Sequence, residues 1–302
     1  MTTLTLSRPN LVAARPARVA YPYAAIAPAV LLVAAISFIP LAYALVQSLY
    51  KSRYLELGQF VGLDNYADFL FGRNGPARLQ ASFMFVLGTI AVSTPLGIGF
   101  ALLLNQPIRL RGWFRTILIL PWLVSALVGG LLWAWLLNPN FSPVIQDIER
   151  LFHISIPSLL TSFSWSMPAL ILAHSWSCYP MIMVFTLAAL QTIPTELTEA
   201  ALIDGASPLQ RFAYVTFPHI RNTLLVALVL TTLNTFNHVT MVLVMTGGGP
   251  VGATETMALK VFLEAFKYYR MGTASAGAVI IFAVNILFAV LYARILRDGG
   301  KA

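Results

Sequence analysis

Between two long apolar segments the chain carries the polar island Glu199-Ala200-Ala201-Leu202-Ile203-Asp204-Gly205-Ala206. Thr195 is placed to cap a short helix that begins at Glu196, and Gly205 to end it, because glycine readily takes the left-handed conformation of a helix C-cap. Ser207 and Pro208 then predict a second helix start, with Gln210 at the capping-box position. We expect this second helix to run to about Thr216 and Pro218 to break it before the next apolar segment.

A helix–turn–helix of this size cannot bury its own apolar face, so it must lie on lipid or insert into a partner protein. The acidic residues Glu196, Glu199 and Asp204 oppose the anionic headgroups of a membrane, and Arg211 and Arg221 are the only cations of the segment. The charge pattern therefore favours docking to a partner protein.

The composition is that of a membrane protein. Of the 302 residues 58% are hydrophobic and only 10% are charged, and the mean hydropathy is +0.78, whereas a soluble domain has about 25% charged residues. Apolar runs long enough to cross a bilayer, about 20 residues each, lie near 24–46, 82–104, 116–137, 168–190, 223–245 and 274–293. Because lipid offers no partner for backbone N–H and C=O groups, we expect an all-α membrane protein with six transmembrane helices.

Topology follows from the connecting segments. The first apolar run is longer than that of a signal peptide and no small-residue cleavage site follows it, so we interpret it as a retained anchor. Segments on the N-terminal side of the membrane hold 11 of the 19 Lys and Arg residues, although they are shorter in total than the segments on the opposite side, which predicts that both termini are cytoplasmic. The expected parts are a tail 1–23, a membrane domain 24–295 and a tail 296–302. The bias of Lys and Arg towards one side of the membrane also accounts for the net charge of +8. No basic stretch of the sequence has the pattern of a nucleic-acid binding site.

The sequence lacks the residue patterns by which a transporter could couple transport to an ion gradient or to ATP by itself. The six expected spans contain no Asp, Glu, Lys or Arg, which disfavours an ion-coupled transporter, although backbone-coordinated Na⁺ stays open. The glycines at 247–249 do not continue into a phosphate-binding Gly-Lys-Ser/Thr, and no zinc-peptidase motif occurs. Cys178 is expected to be a packing residue. Active transport by this chain would therefore be powered through contact with another protein.

Polar residues deep in the fifth apolar run are candidates for a solute pathway: Asn234, Thr235, Asn237 and His238. Buried amides without partners cost a few kcal/mol each, so these side chains need either neighbouring helices or a hydroxyl-rich solute. Trp176 and Tyr179, beside Pro180, could stack on a sugar ring or pack against other aromatic residues. Both interpretations remain open for each group.

Several motifs together resemble a known family. The run Glu199-Ala200-Ala201-x-x-Asp204-Gly205-Ala206 with Phe212, Val215 and Pro218 resembles the EAA loop of ABC importer permeases. Three outer segments resemble the carbohydrate-uptake branch, in particular its maltose-type F subunit: Phe60-Val61-Gly62-Leu63-Asp64-Asn65-Tyr66, Thr246-Gly247-Gly248-Gly249-Pro250 and Tyr269-Arg270-Met271-Gly272-x-Ala274-Ser275-Ala276. Phe217 replaces the usual Leu before the loop's closing proline, and Asn222 stands where a proline is often found.

The resemblance implies a type I ABC importer permease fold in the bacterial inner membrane. The chain would pair with a second permease, two ATPase subunits that carry ATP and Mg²⁺, and an extracytoplasmic binding protein, with lipid around it and no cofactor of its own. It would be a non-enzymatic subunit for sugars or related polyols. The loop 192–218 would couple it to the ATPases through Glu199, Ala200, Ala201, Asp204, Gly205, Ala206, Phe212 and Pro218. Glycerol-3-phosphate remains an alternative solute, and a self-contained ion-coupled carrier the rival class.

Overall fold

The computed structural model describes residues 17–54 and 56–299, so most of the expected tail 1–23 and the end of the expected tail 296–302 lie outside the described residues. The described residues form helices and connecting loops, with no strand longer than an isolated bridge. In chain order the helices are α1 (Ala17–Ser48), α2 (Asp64–Phe71), α3 (Gly75–Leu104), α4 (Arg111–Leu123), α5 (Ala126–Leu136), α6 (Pro143–Phe152), α7 (Ser166–Leu190), α8 (Thr195–Ile203), α9 (Pro208–Arg211), α10 (Phe217–Phe236), α11 (Thr240–Met245), α12 (Met257–Phe266) and α13 (Met271–Gly299), with a π-helical turn, Phe212–Thr216, between α9 and α10.

Five of these helices, or continuous helical runs, are long and apolar enough to cross a bilayer. They are Ile26–Ser48, Gly75–Leu104, Ser166–Leu190, Pro208–Phe236 and Met271–Arg297. A sixth span exists if α4 and α5 are counted together. The first, second, fourth and sixth expected spans therefore coincide with single helices, and the other two need correction.

The third expected span, 116–137, is not one helix. α4 and α5 meet at an angle of 97°, because Val124 and Ser125 have extended backbone conformations. Irregular backbone at membrane depth is tolerated where it is buried in protein or lines a cavity. Val124 lines such a cavity, described below.

The fifth expected span, 223–245, is wrong at both ends. Its helix begins at Pro208, continues through the π-helical turn and ends at Phe236. Pro218 does not break it, because the turn makes a wider i→i−5 bond from the Phe217 amide to the Phe212 carbonyl and so accommodates the proline ring. The helix ends instead where the Asn237 side-chain amide donates to the Leu233 carbonyl at 2.6 Å and competes with the backbone ladder.

The core lies between α3 and α7, which pack more closely than the other helices of the described chain. Gly97 permits the approach, since a Cβ there would lie 2.8 Å from the Ile182 side chain. Pro95 and Pro180 lie inside these two continuous helices.

Two of the outer sequence motifs contact one another. The Asn65 amide donates to the carbonyls of Ser48 at 2.8 Å and Tyr50 at 2.9 Å, which joins α2 to the C-terminal end of α1. Thr273 donates to Asn65 Oδ1 at 3.4 Å, and the rings of Tyr54 and Tyr269 stack with centroids 4.9 Å apart. These motifs therefore fasten the start of α13 to the end of α1.

Candidate functional site

The polar island folds as expected at its centre. Gly205 has a φ of +74°, and its N–H donates to the Leu202 carbonyl at 3.1 Å. The N–H of Ala206 donates to the Ala201 carbonyl at 3.0 Å. This pair of bonds is a Schellman motif, which ends α8 and satisfies its last carbonyls.

The second start is also confirmed. The Ser207 hydroxyl accepts from the Gln210 N–H at 3.4 Å, and the Gln210 side chain accepts from the Ser207 N–H at 2.8 Å, so a full capping box begins α9. The expectation for Thr195 is wrong: α8 already includes it, and Pro194 occupies the N-cap position without a side-chain bond. The ring of Pro194 fixes the backbone at the start of α8 without a hydrogen bond from a side-chain hydroxyl.

The island presents apolar side chains to its surroundings. None of the residues of α8 or α9 is buried, and Ile203 is 87% exposed. Leu202, Leu209 and Tyr214 are exposed as well. An exposed apolar patch rimmed by polar residues is typical of a protein interaction site.

A groove of about 900 Å³ separates the island from the ends of two long helices. Its walls come from Leu102 to Gln106 at the end of α3, from Leu190 to Ile193 after α7, and from α8 and α9. Phe212, one of the expected coupling residues, lines this groove, whereas Pro218 lies exposed beyond it. The island is thus attached mainly through the π-helical turn that leads into α10.

A cavity of about 390 Å³ lies at the two helix breaks. Its lining is Trp122, Val124, Ala126, His174, Ser177, Cys178, Met181, Leu230, Thr231, Asn234 and His238. The lining contains hydroxyl, amide and imidazole groups and none of the charged residue types. Discontinuous helices that meet at a polar cavity are a recurrent arrangement for solute sites in transporters.

Behind this cavity the polar groups of α7 and α10 contact each other. His174 Nε2 lies 3.2 Å from Thr235 Oγ1 and 3.4 Å from Cys178 Sγ. The rings of His174 and His238 are 4.3 Å apart, and His238 Nε2 has no hydrogen-bond partner among the described residues. Thr235 is therefore a buried support, while His238 offers an unpaired group at the cavity.

The other expected pathway residues lie elsewhere. Asn237 and Asn285 exchange two amide hydrogen bonds, of 3.3 and 3.2 Å, beside a separate cleft on the far side of the break. Trp176 packs edge-on against Trp133 with ring centroids 6.0 Å apart, and the Tyr179 and Phe100 centroids are 5.2 Å apart. Of the six candidates, only Asn234 and His238 line the same cavity.

The sequence interpretation missed part of the lining. Ser177 and Cys178 lie three and four residues after His174 on α7, and that helical spacing was an available signal. Trp122 and Val124 could not be placed, because the break between α4 and α5 is visible only in three dimensions. Among the described residues no group of three or more His, Cys, Asp or Glu side chains could hold a metal ion.

Comparisons with known proteins agree with this architecture. Residues 93–298 match the family described as "Binding-protein-dependent transport system inner membrane component". The trehalose/maltose transport system permease protein MalF of Thermococcus litoralis is 33% identical, over 79% of this chain and 80% of the relative. The sn-glycerol-3-phosphate transport system permease protein UgpA of Agrobacterium fabrum is 31% identical, over 88% of this chain and 90% of the relative.

The sulfoquinovosyl glycerol transport system permease protein SmoG of Agrobacterium fabrum is also 31% identical, over 90% of this chain and 89% of the relative. Among solved structures, a bacterial ABC transporter involved in the import of the acidic polysaccharide alginate matches with a TM-score of 0.79. It is 19% identical and the match covers 93% of this chain and 96% of that one, so it shows a shared fold. The chain therefore belongs to the binding-protein-dependent transport system inner membrane components, the non-enzymatic, multi-pass permease subunits of bacterial ABC importers.

Proposed function

We propose that this chain forms half of the translocation pathway of an ATP-driven importer for sugars or related polyols. It would cross the membrane six times, with α4 and α5 as one broken span, both termini in the cytoplasm, and residues 24–295 as the membrane domain. The Lys and Arg distribution and the six apolar segments support this topology.

The coupling element would be the loop 192–218, which docks on an ATPase subunit. The observation that carries this proposal is the exposed, doubly capped pair α8–α9, since a rigid element with an uncovered apolar surface is suited to receive force from a partner. Ala200, Ala201 and Ala206 keep its surface slim, while Asp204 and Gly205 hold the turn. Glu199 is exposed beside them.

The partners would be a second permease, two ATPase subunits that bind ATP and Mg²⁺, and an extracytoplasmic binding protein. Family membership supports this assembly. A structure whose title describes an alginate ABC transporter "in complex with alginate pentasaccharide-bound periplasmic protein" has the same fold, with a TM-score of 0.78. No cofactor is proposed on this chain.

A neutral, hydroxylated solute fits the cavity best. Asn234, His238 and Ser177 offer hydrogen-bonding groups there, and no charged side chain is part of the lining. Trp176, Tyr179 and Thr235 would act as supports that hold the cavity's walls. Asn237, with Asn285, stays a pathway candidate on its own face.

Glycerol-3-phosphate is the second candidate solute, because permeases for it are 31% identical to this chain. A phosphate group would need a positively charged partner, and the lining of this cavity has none. The second permease would have to supply that cation. Binding assays on the extracytoplasmic protein with neutral sugars, polyols and glycerol-3-phosphate separate the two. Tight binding of the phosphate alone would overturn the choice of a neutral solute.

The coupling role is tested in the complete transporter reconstituted in vesicles. We expect Glu199→Gln and Gly205→Val to lower solute uptake per ATP hydrolysed several-fold, because one removes a docking charge and the other forces a branched side chain into the left-handed backbone region. Glu56→Gln, the same charge change on an exposed outer residue, is the matched control. Normal coupling in both loop variants would contradict the assignment.

The rival class is tested with the same vesicles. A self-contained ion-coupled carrier would take up solute when this chain alone is reconstituted and an ion gradient is applied. We expect no uptake above that of empty vesicles without the ATPase subunits.

A further inference from the structure

The outer loop between α5 and α7 contains a strongly amphipathic helix, α6. Its apolar residues recur at the spacing of one helical face: Val144, Ile145, Ile148, Leu151 and Phe152. Ile145 is buried where α6 packs near α5. Ile148 is half-buried, and Val144, Leu151 and Phe152 are exposed.

Hydrogen bonds hold α6 from its start and its polar side. The Ser142 hydroxyl caps it by accepting from the Ile145 N–H at 3.3 Å, and Gln146 donates to the Asn140 carbonyl at 3.1 Å. Glu149 accepts from the N–H of Ile156 at 2.7 Å, which ties the returning chain to the helix. These bonds join the helix to the chain on both sides of it and leave Leu151 and Phe152 exposed.

That face is large and exposed. Leu151 is 75% and Phe152 is 68% exposed. Exposed aromatic side chains flank it on both sides in sequence, with Phe141 before the helix and Phe163 and Trp165 after it. The surface continues onto α5, where Leu131, Leu132 and Trp135 are exposed as well.

The position of the loop identifies what covers this face. α5 ends at Leu136 and α7 begins at Ser166, so the loop joins the outer ends of two membrane-crossing segments. Aromatic residues are enriched at that level of the bilayer, where their rings sit among the headgroups. The helix carries one cation, Arg150, which pairs with Asp147 at 3.8 Å. Its attraction to a membrane would therefore come from apolar burial.

We propose that α6 is an interfacial helix that lies in the outer leaflet, with Leu151 and Phe152 inserted at the boundary of headgroups and acyl chains and Arg150 on the opposite side in water. The occupant of this face is the lipid surface. An amphipathic helix in that position buries its apolar face about 5–10 Å deep. It would brace the broken span α4–α5 against the membrane. The proposal depends on the bilayer position of the loop and not on the coupling role or the solute.

The test compares two faces of the same helix. A nitroxide is attached to Phe152→Cys in one variant and to Arg150→Cys in the other. The two positions are about 200° apart around the helix axis, and both side chains are exposed, so neither change disturbs the core. The full chain is placed in bilayers of phosphatidylethanolamine with a minority of phosphatidylglycerol. Collisions of the nitroxide with oxygen, which concentrates in lipid, and with a water-soluble nickel chelate are measured. The native Cys178 is buried, and wild-type protein treated with the same nitroxide reagent should show no nitroxide signal, which confirms that Cys178 stays unmodified.

We expect the oxygen-to-nickel collision ratio at 152 to be several-fold higher than at 150. A ratio at 152 equal to that at 150 would place the face in water and overturn the proposal. Low collision rates with both reagents at 152 would show a protein contact, and would overturn it equally. The same measurement with the second permease and the ATPase subunits present must give the same answer. The collision measurement does not involve transport, so a negative result would not affect the proposed coupling role of α8–α9. A negative result in the uptake experiments would likewise not affect the proposed position of α6.

Discussion

Gly272 lies directly against the side-chain amide of Asn65, so that a Cβ on Gly272 would come within 3.0 Å of Asn65 Nδ2. The same Cβ would overlap the Tyr50 carbonyl oxygen, which the Asn65 amide also contacts. Both residues belong to outer motifs that carry the family resemblance. Their contact gives these motifs a structural role, which is to join α1, α2 and α13 at the outer ends of the spans.

We expect Gly272→Ala to destabilise the protein by about 1–3 kcal/mol, the usual cost of forcing extra volume into a packed site. The thermal midpoint of the purified chain in detergent measures this loss. Gly99→Ala is the matched control, because a Cβ at Gly99 has no atom within 4 Å, and it should leave the midpoint unchanged or raise it. Equal midpoints for the two variants would contradict the tight junction.

Among the described residues, Glu264 is the most buried side chain that takes part in an ion pair. Its side chain is 0% exposed and accepts from Arg270 at 2.6 and 2.7 Å, and Lys260 lies 2.9 Å away. Burial alone would raise the pKa of this carboxyl, but the hydrogen bonds and charges of Arg270 and Lys260 together hold the pKa below its ordinary value. The hydrogen bond to Glu264 is the main cause that raises the pKa of Arg270.

We expect Glu264→Gln to cost about 2 kcal/mol at neutral pH. That is less than the usual cost of breaking a buried ion pair, because Arg270 and Lys260 remain partly exposed. A group with a lowered folded pKa stabilises the protein above its unfolded pKa, and this contribution is lost as the pH falls through the folded pKa. The thermal midpoints of wild type and variant should therefore converge in acid. A gap that stays constant from neutral pH to below pH 4 would contradict the ionised pair.

The π-helical turn before Pro218 is a consequence of that proline. With an alanine in its place, the Tyr214 carbonyl regains a donor and the wider turn is no longer required. We expect Pro218→Ala to raise the thermal midpoint and to rotate α8–α9 by about 100° relative to α10, the angle of one helical residue. Uptake by the complete transporter should fall several-fold. His219→Ala, which removes only the 2.6 Å contact to the Val215 carbonyl, should have a smaller effect.

An unchanged midpoint together with normal uptake in Pro218→Ala would contradict this view of the turn. Uptake and stability are measured on the same preparation, so that a folding defect is not mistaken for a coupling defect.

The helix caps could be predicted from the sequence, because they depend on neighbouring residues in the chain. The irregular backbone between helices could not. Gly205 and Ser207 act within a few residues of themselves, and their motifs formed as expected. The break at Val124 and Ser125 and the continuity of the helix through Pro218 depend on neighbouring helices, which apolar run lengths do not reveal. The expected spans therefore matched where one helix crosses alone, and failed where the helix is bent or extended beyond the apolar run.

The polar cluster shows the same limit within the candidate site. Asn234 and His238 are four residues apart, a spacing that predicts a shared helical face. Both line the cavity, although the helix ends at Phe236, before His238. Asn237 was grouped with them because it is near in sequence. Its partner Asn285 is 48 residues away on α13, and no local pattern could have supplied it.

We propose that force from an ATPase subunit arrives at the exposed pair α8–α9. Cysteine crosslinking in native membranes that contain the assembled transporter tests it most directly, with Ile203→Cys as the probe. The control is Phe71→Cys at the end of α2, which is 79% exposed in an outer segment. We predict that a short bifunctional thiol reagent joins position 203, but not 71, to the nucleotide-hydrolysing subunit, and that ATP changes the yield. A complete absence of that product at 203 would contradict the account.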